Sequence, residues 1–424
     1  MMLFSLIAAS ALASQPLPPM KAQDPTAQLQ GDGGSIKFDP ACRDFTVETV
    51  KSVPDCAARL EKGETAPSLA IATQTLGGMG PTGPAQAVAI LERAIRTENH
   101  PAAHYLLGML LSTGQAGIVP RYAEAVKHLQ IASDRGNPAA SDLLATLLVQ
   151  GKGTARDIPR AVALYKKAMA DGFLNSATSL GMLYLNGRYQ PADVEYGARL
   201  LEEAAKLGER RAASLAPMAR ATNVHNFQLF PAADPAKVKI REFGTFDNPE
   251  IPPNFGFDEA FQALHYRPYD DSATLAELER TARLGPTPYL YELARRRAAA
   301  APADALRLYI LARTRMLYDA SRCTDPSALG ALRAWDTLIA PDFAFVLAAV
   351  PADDRAKALA LALADEAPLS GDAIPWWVCR SSMTEMTNAV GGKVAPLSLK
   401  PVADWPKLRE DARSTVSKAV SAIK

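Results

Sequence analysis

The sequence predicts an all-α protein, a solenoid of stacked helical hairpins followed by a second α-helical region. Three observations predict it. The text between Ala103 and Gly208 repeats itself with a period of about 36 residues. Each period holds two apolar stripes spaced by threes and fours, the pattern of amphipathic helices. Each unit closes on a glycine, at Gly136, Gly172 and Gly208, where a left-handed residue can end a helix.

The chain opens on the apolar "LFSLIAASALA", ending in Ala11-Leu12-Ala13, a small-residue cleavage pattern. Residues 1–13 are therefore expected to be a secretory signal peptide, and the polar, proline-rich residues 14–40 a disordered spacer. The solenoid is expected over residues 41–222. A degenerate first hairpin, "SLAIATQTLGG" at 68–78 and "PAQAVAILERAIRTEN" at 84–99, precedes three clear units.

In the three units Leu107, Leu144 and Leu180 align, followed by Gly108, Ala145 and Gly181, then Gly114, Gly151 and Gly187. The small residue after each leucine would let the second helix of the hairpin approach closely. Second helices align Ala125, Ala161 and Gly197, then Ala132, Ala168 and Ala204. Starts are marked as well: Asn137-Pro138 reads as an N-cap followed by proline at the first helical position, His100-Pro101 as a poorer version, and Asp157 as the cap of a second helix. A hairpin of two short helices cannot cover its own apolar face, so the units must stack. "ERRAASLAPMARA" from Glu209 is expected to close the far end.

"LGMLYLNG" at 180–187 and the Gly151, Gly153 and Asp157 of "GKGTARD" resemble the Sel1-like repeat family, relatives of the tetratricopeptide repeats. The first unit departs from the pattern with Gly-Gln-Ala-Gly at its turn, the second by Ala145, and the third with Gly-Arg-Tyr. The resemblance implies a right-handed α-solenoid and a non-enzymatic adaptor that binds a protein or peptide partner on a concave surface. Tyr105, Asp142 and Thr178, on the first helices, are the positions expected to face that partner. Some relatives are credited with binding β-lactams, so the second reading is a protein that binds or processes cell-wall glycan, with its site in the C-terminal half.

Residues 223–256, rich in Pro, Asn and Phe, read as a connector, and residues 257–424 as an α-helical C-terminal domain or a decayed continuation of the solenoid. "ATLAELERTARLG", "TPYLYELARRRAAAAP" and "ADALRLYILARTRMLYDASRC" read as helices there, with more around 326–338, 353–366 and 403–423.

Four cysteines fit an exported chain. Sequence proximity favours Cys42 with Cys56 and Cys323 with Cys379, although three pairings are possible. Location in the periplasm or outside the cell is expected. A formal charge of +1 gives no pull toward nucleic acid or anionic lipid, and no later run is long and apolar enough to span a bilayer. Arg295-Arg296-Arg297 is read as a solvated helix face. His100 and His104 lie four apart but without a surrounding metal motif, and His128 stands where the neighbouring units have Leu164 and Leu200. No nucleophile elbow, phosphate loop, metal cluster or cofactor motif is found, and "WWVC" at 376–379 reads as packing against a bridge.

Overall fold

The computed structural model describes residues 16–22, 24, 26–31, 54–76, 84–114, 118–186, 193–221, 261, 264–282, 287–369, 376–379 and 399–422. The expected signal peptide, Cys42, Gly187 and the connector lie outside them. Among the described residues every regular element is helical, and strand-like pairing is limited to one bridge between Cys323 and Leu399. They fall into two compact units, divided at 233/234, with residues 268–270 counted in the first.

In the first unit the helices are α1 (Pro54–Lys62), α2 (Thr65–Leu76), α3 (Pro84–Glu98), α4 (Pro101–Thr113), α5 (Tyr122–Asp134), α6 (Pro138–Gln150), α7 (Ile158–Ala170), α8 (Asn175–Asn186), α9 (Val194–Lys206) and α10 (Arg210–Ala221). They pair as the periodicity demands. α2 packs on α3, α4 on α5, α6 on α7 and α8 on α9, while the first helices α4, α6 and α8 lie side by side. Leu107, Leu144 and Leu180 are fully buried between them. α10 closes the stack against α9 and α8.

Local chemistry fixes the ends. The Asn137 Oδ1 accepts from Ala140 N–H at 2.9 Å, His100 Nδ1 from Ala102 N–H at 3.1 Å, and Asp157 Oδ1 from Arg160 N–H at 3.0 Å, each before a helix with proline in its first turn. Gly114 and Gly151 are left-handed C-caps, and Gly136, Gly172 and Gly208 turn the chain between units. Close approach is real in the third hairpin. A Cβ on Gly197 would lie 2.8 Å from the Gly181 carbonyl oxygen, and one on Gly108 in the first hairpin 2.6 Å from Leu129 Cγ. The turn of the second hairpin is held by residues 268–270: Tyr269 and Asp270 donate their backbone N–H to the Gln150 and Gly151 carbonyls, and Gly153 N–H donates to Asp270 Oδ2 at 2.5 Å.

The second unit holds α11 (Ser272–Thr281), α12 (Thr287–Arg297), α13 (Pro302–Arg322), α14 (Gly330–Phe343), α15 (Val346–Ala349), α16 (Ala352–Leu369), α17 (Trp376–Cys379) and α18 (Trp405–Ser421). The long α13 is its centre, with α12, α16 and α18 packed around it. Cys323, just past its end, is bonded to Cys379 with Cα atoms 5.4 Å apart, as sequence proximity favours. Cys56 is also disulfide-bonded.

Arginines 295–297 do not form a solvated face. Arg295 and Arg296 are buried, because Glu292, one turn earlier on α12 and fully buried, accepts from both guanidinium groups at 2.6–2.9 Å and from His265 Nδ1 at 2.9 Å. Asp342 takes a further bond from Arg295 at 2.7 Å. Only Arg297 reaches the more open side, toward Glu279 and Asp304. A charge run shows its sign but not its burial: Glu292 is near in sequence, whereas His265 and Asp342, which complete the buried cluster, are brought to it by the fold.

Candidate functional site

The first helices of a stacked-hairpin solenoid form one continuous wall, so the residues they repeat are the ones a partner would meet. Tyr105, Asp142 and Thr178 hold equivalent places on α4, α6 and α8, but they do not face outward. Tyr105 and Thr178 are buried and Asp142 is half-buried. Asp142 and Thr178 act as rungs to the next element of the stack instead. Ser176 Oγ of the third unit donates to Asp142 Oδ1 of the second at 2.8 Å, and Thr178 Oγ1 donates to Glu209 Oε2, just before α10, at 2.5 Å. Tyr105 hydroxyl reaches the Met109 sulfur at 3.7 Å. Burial lifts the Asp142 carboxyl to about 6, against the opposing pull of the Ser176 and Ser179 hydrogen bonds and of Arg211.

One helical turn further on, the wall is partly open. Met109, Thr146 and Met182 are equivalent on the three first helices and half-buried, with Leu143 and Ser179 beside them in the same exposure class. Two thioethers, a leucine and two hydroxyls make a mixed, mainly apolar strip, and methionine suits a surface that must adapt to a partner. The sequence carried the signal, because 109, 146 and 182 share the period. Helical spacing alone could not say which of two adjacent i, i+4 rows is used to join the units.

The stretch expected to be a disordered spacer is ordered over residues 16–31, apart from 23 and 25, which lie outside the described residues. It lies against the turns between units. Lys21 and Asp24 donate their backbone N–H to the Met169 and Gly172 carbonyls at 3.2 and 2.9 Å, the first a carbonyl that also takes the Gly172 N–H at 3.1 Å. The Asn137 side-chain amide donates to the Gln28 and Gln30 carbonyls at 3.0 and 2.9 Å. Between these anchors the Asp24 carboxylate accepts from Thr26 N–H and Oγ1, both at 2.7 Å, which starts a 3-10 turn at Ala27–Leu29. Those Thr26 bonds, with one from Gln30, hold the Asp24 carboxyl below its usual range, while slight burial works against them. The Asp-Pro-Thr order is a turn signal legible in the sequence; that Asn137 would serve the strap as well as its own helix was not.

The histidines are placed by hydrogen bonds. His104 Nδ1 lies 2.8 Å from His128 Nδ1, and His104 Nε2 lies 2.7 Å from Asn99 Oδ1. No group of three or more His, Cys, Asp or Glu side chains able to hold a metal is found among the described residues. No described helix is long and apolar enough to cross a membrane. Cys379 is buried against its bridge, and the side chains of Trp376 and Trp377 lie outside the described residues.

A model of the Sel1 repeat matches residues 101–137, 138–173 and 175–209, the three hairpins built by α4 to α9. The chain carries three Sel1 repeats. A stretch of 113 residues is 30% identical to chitin synthase regulatory factor 3 of Schizosaccharomyces pombe, covering 26% of this chain and 12% of that protein. The chain thus spans about an eighth of the curated relative that it matches. Among solved structures, a Sel1 repeat protein from Oxalobacter formigenes is similar at 23% identity, over 42% of this chain and 79% of that one, with a TM-score of 0.33. The protective antigen c5321 of uropathogenic Escherichia coli, described as an SLR fold, aligns at 14% identity over 88% and 89% of the two chains, with a TM-score of 0.34. The Sel1 repeats of this chain place the rungs at Asp142 and Thr178 at the joints between one repeat and the next element of the stack.

Proposed function

We propose that the protein is an exported, non-enzymatic scaffold of the bacterial cell envelope that holds a protein partner on its Sel1 repeats. The observation that carries this reading is the repeated half-open strip of Met109, Leu143, Thr146 and Met182 on the wall of first helices. Polar groups beside the strip already bond within the stack, so what the wall offers a partner is adaptable apolar surface with few competing demands. Export is supported by the Cys323–Cys379 bridge, which persists in oxidising compartments, and by the small-residue cleavage pattern ending at Ala13.

The test places a photo-crosslinking residue at Leu143, Thr146 or Met182 in the full chain and recovers adducts from the envelope fraction. One protein, captured at all three positions and lost on Met182→Glu, supports the scaffold. Capture of cell-wall glycan in its place supports the wall-binding alternative and sinks this one. N-terminal sequencing of the recovered chain should begin at Ser14.

A further inference from the structure

We infer that the row of turns between Sel1 repeats is a second binding site, for a peptide segment, and that residues 16–31 are its resident occupant in cis. The register is ordered. Along the strap, Lys21 and Asp24 bond at the joint between the second and third repeats, Gln28 and Gln30 at Asn137 between the first and second, and Gly31 lies against Pro101 at the start of the first. The strap therefore runs back along the repeats, opposite to their order, and meets each joint once.

Its contacts are directed at backbone, with side chains read at three points. Asn137 is fully buried and saturated: its oxygen caps α6 while both amide protons serve the strap. At the next joint the roles reverse, with strap N–H groups donating to the backbone carbonyls of Met169 and Gly172. Ala27, 1% exposed, is buried against the repeats. Gly31 admits no side chain, since a Cβ there would lie 2.6 Å from Pro101 Cγ. Asp24 and Thr26 shape the turn that sets Ala27 inward.

These demands define the ligand as a polar segment with an Asp-x-Thr turn, a small residue directly after it, and a glycine four residues further on. We commit to a segment of that chemistry on a partner protein, which displaces the strap. The inference deepens the scaffold reading by giving the partner's recognition element and a second place on the repeats where it binds, away from the half-open strip.

The test uses the full chain with residues 16–31 replaced by a glycine-serine sequence of equal length, titrated with a labelled synthetic peptide of residues 16–31. A tethered segment experiences an effective concentration on the order of 1 mM, so saturable binding below about 1 mM is expected for the replaced chain and none for the native one. Asn137→Asp separates the two roles of that residue, because Asp keeps the cap but loses both donors. In the replaced chain this variant should retain the helical circular dichroism and thermal transition and weaken the peptide by about tenfold or more. A peptide carrying Gly31→Val should weaken similarly. In the native chain, Asn137→Asp should speed tryptic cleavage after Lys21.

Absence of saturable binding to a folded replaced chain overturns the inference, as does indifference to Asn137→Asp. A native dimer that becomes monomeric on Asn137→Asp also overturns it, because the strap would then be exchanged between copies. The titration needs no cellular partner, so failure of the crosslinking experiment leaves it standing and the reverse also holds.

Discussion

His104 and His128 face each other through their Nδ1 atoms at 2.8 Å, inside the first Sel1 repeat. The Asn99 side-chain oxygen, 2.7 Å from His104 Nε2, can only accept. His104 therefore carries its proton on Nε2, and its bare Nδ1 accepts from His128. A second proton on His104 would set two N–H groups against each other.

Burial, with His128 and Arg135 adding to it, lowers the His104 pKa from 6.5 to about 4. His128 is also lowered, by burial and Arg121, with Glu124 and Glu92 opposing. Since the unfolded chain binds the proton first, the His104 contribution is complete above pH 6.5 and is lost as pH falls toward 4. The Asp142 carboxyl, lifted to about 6, stabilises in the opposite sense over part of the same window. The informative quantity is consequently a difference. The urea-unfolding cost of His104→Gln should shrink by about 2 kcal/mol between pH 7 and pH 5. An unchanged cost would mean that the imidazole is not held neutral.

Gly153 and Gly136 both have positive φ, +69° and +82°, yet only one is also hemmed in. A Cβ on Gly153 would lie 2.3 Å from the Tyr122 carbonyl carbon and 2.5 Å from the Ala123 nitrogen, whereas one on Gly136 would meet nothing within 4 Å. Backbone cannot give way as a side-chain tip can. Gly136→Ala should cost about 1–2 kcal/mol, the penalty of a left-handed alanine. Gly153→Ala should cost about 3 kcal/mol or more. Equal urea midpoints for the two variants would contradict the close approach at Gly153.

How much of this was legible in the sequence depends on the kind of interaction. The hairpins were, because Leu107, Leu144 and Leu180 repeat at helical spacing and Asn137, Asp157 and the closing glycines punctuate them. Both Gly108 and Gly181 announced close helix crossings by being small. The direction of Tyr105, Asp142 and Thr178 was not legible, since a polar residue on a helix is outward by default, whereas Asp142 finds Ser176 in the next repeat, Thr178 finds Glu209 just before α10 and Tyr105 finds Met109 one turn along its own helix. The same holds for Arg295 and Arg296, whose partner Glu292 lies in the same helix but whose burial depends on His265 and Asp342. The strap was missed because a proline-rich polar composition resembles disorder, while its order comes from residues such as Asn137, more than 100 positions away.

Glu292 provides the next test. Burial alone would raise its pKa, but Arg295, His265 and Arg296 outweigh that and hold the carboxyl well below its usual range. Glu292→Gln preserves the shape and leaves two buried guanidinium groups short of countercharge. Its cost should be about 3–5 kcal/mol, the range for breaking a buried ion pair from one side. A triple change of Glu292, Arg295 and Arg296 to apolar residues of similar size should cost less than Glu292→Gln alone, measured by thermal unfolding. If the single change were the milder one, the cluster would not be charge-balanced as described.

The Cys323–Cys379 bridge joins the end of α13 to α17 across 56 residues of sequence. Its surroundings are already well packed: the Arg322 guanidinium lies 4.5 Å from the Tyr318 ring centre and 4.7 Å from that of Trp405, and Lys400 N–H donates to the Arg322 carbonyl at 2.8 Å. Those contacts hold the folded side of the balance whether or not the sulfurs are joined. The bridge should therefore act mainly on the unfolded chain, where closing a loop of that length removes entropy worth about 4 kcal/mol. Cys323→Ser with Cys379→Ser should lower the thermal midpoint of the second unit while leaving its helical circular dichroism at low temperature unchanged. Loss of helical signal in the folded variant would show instead that the bond supports native packing, and that the arginine sandwich depends on it.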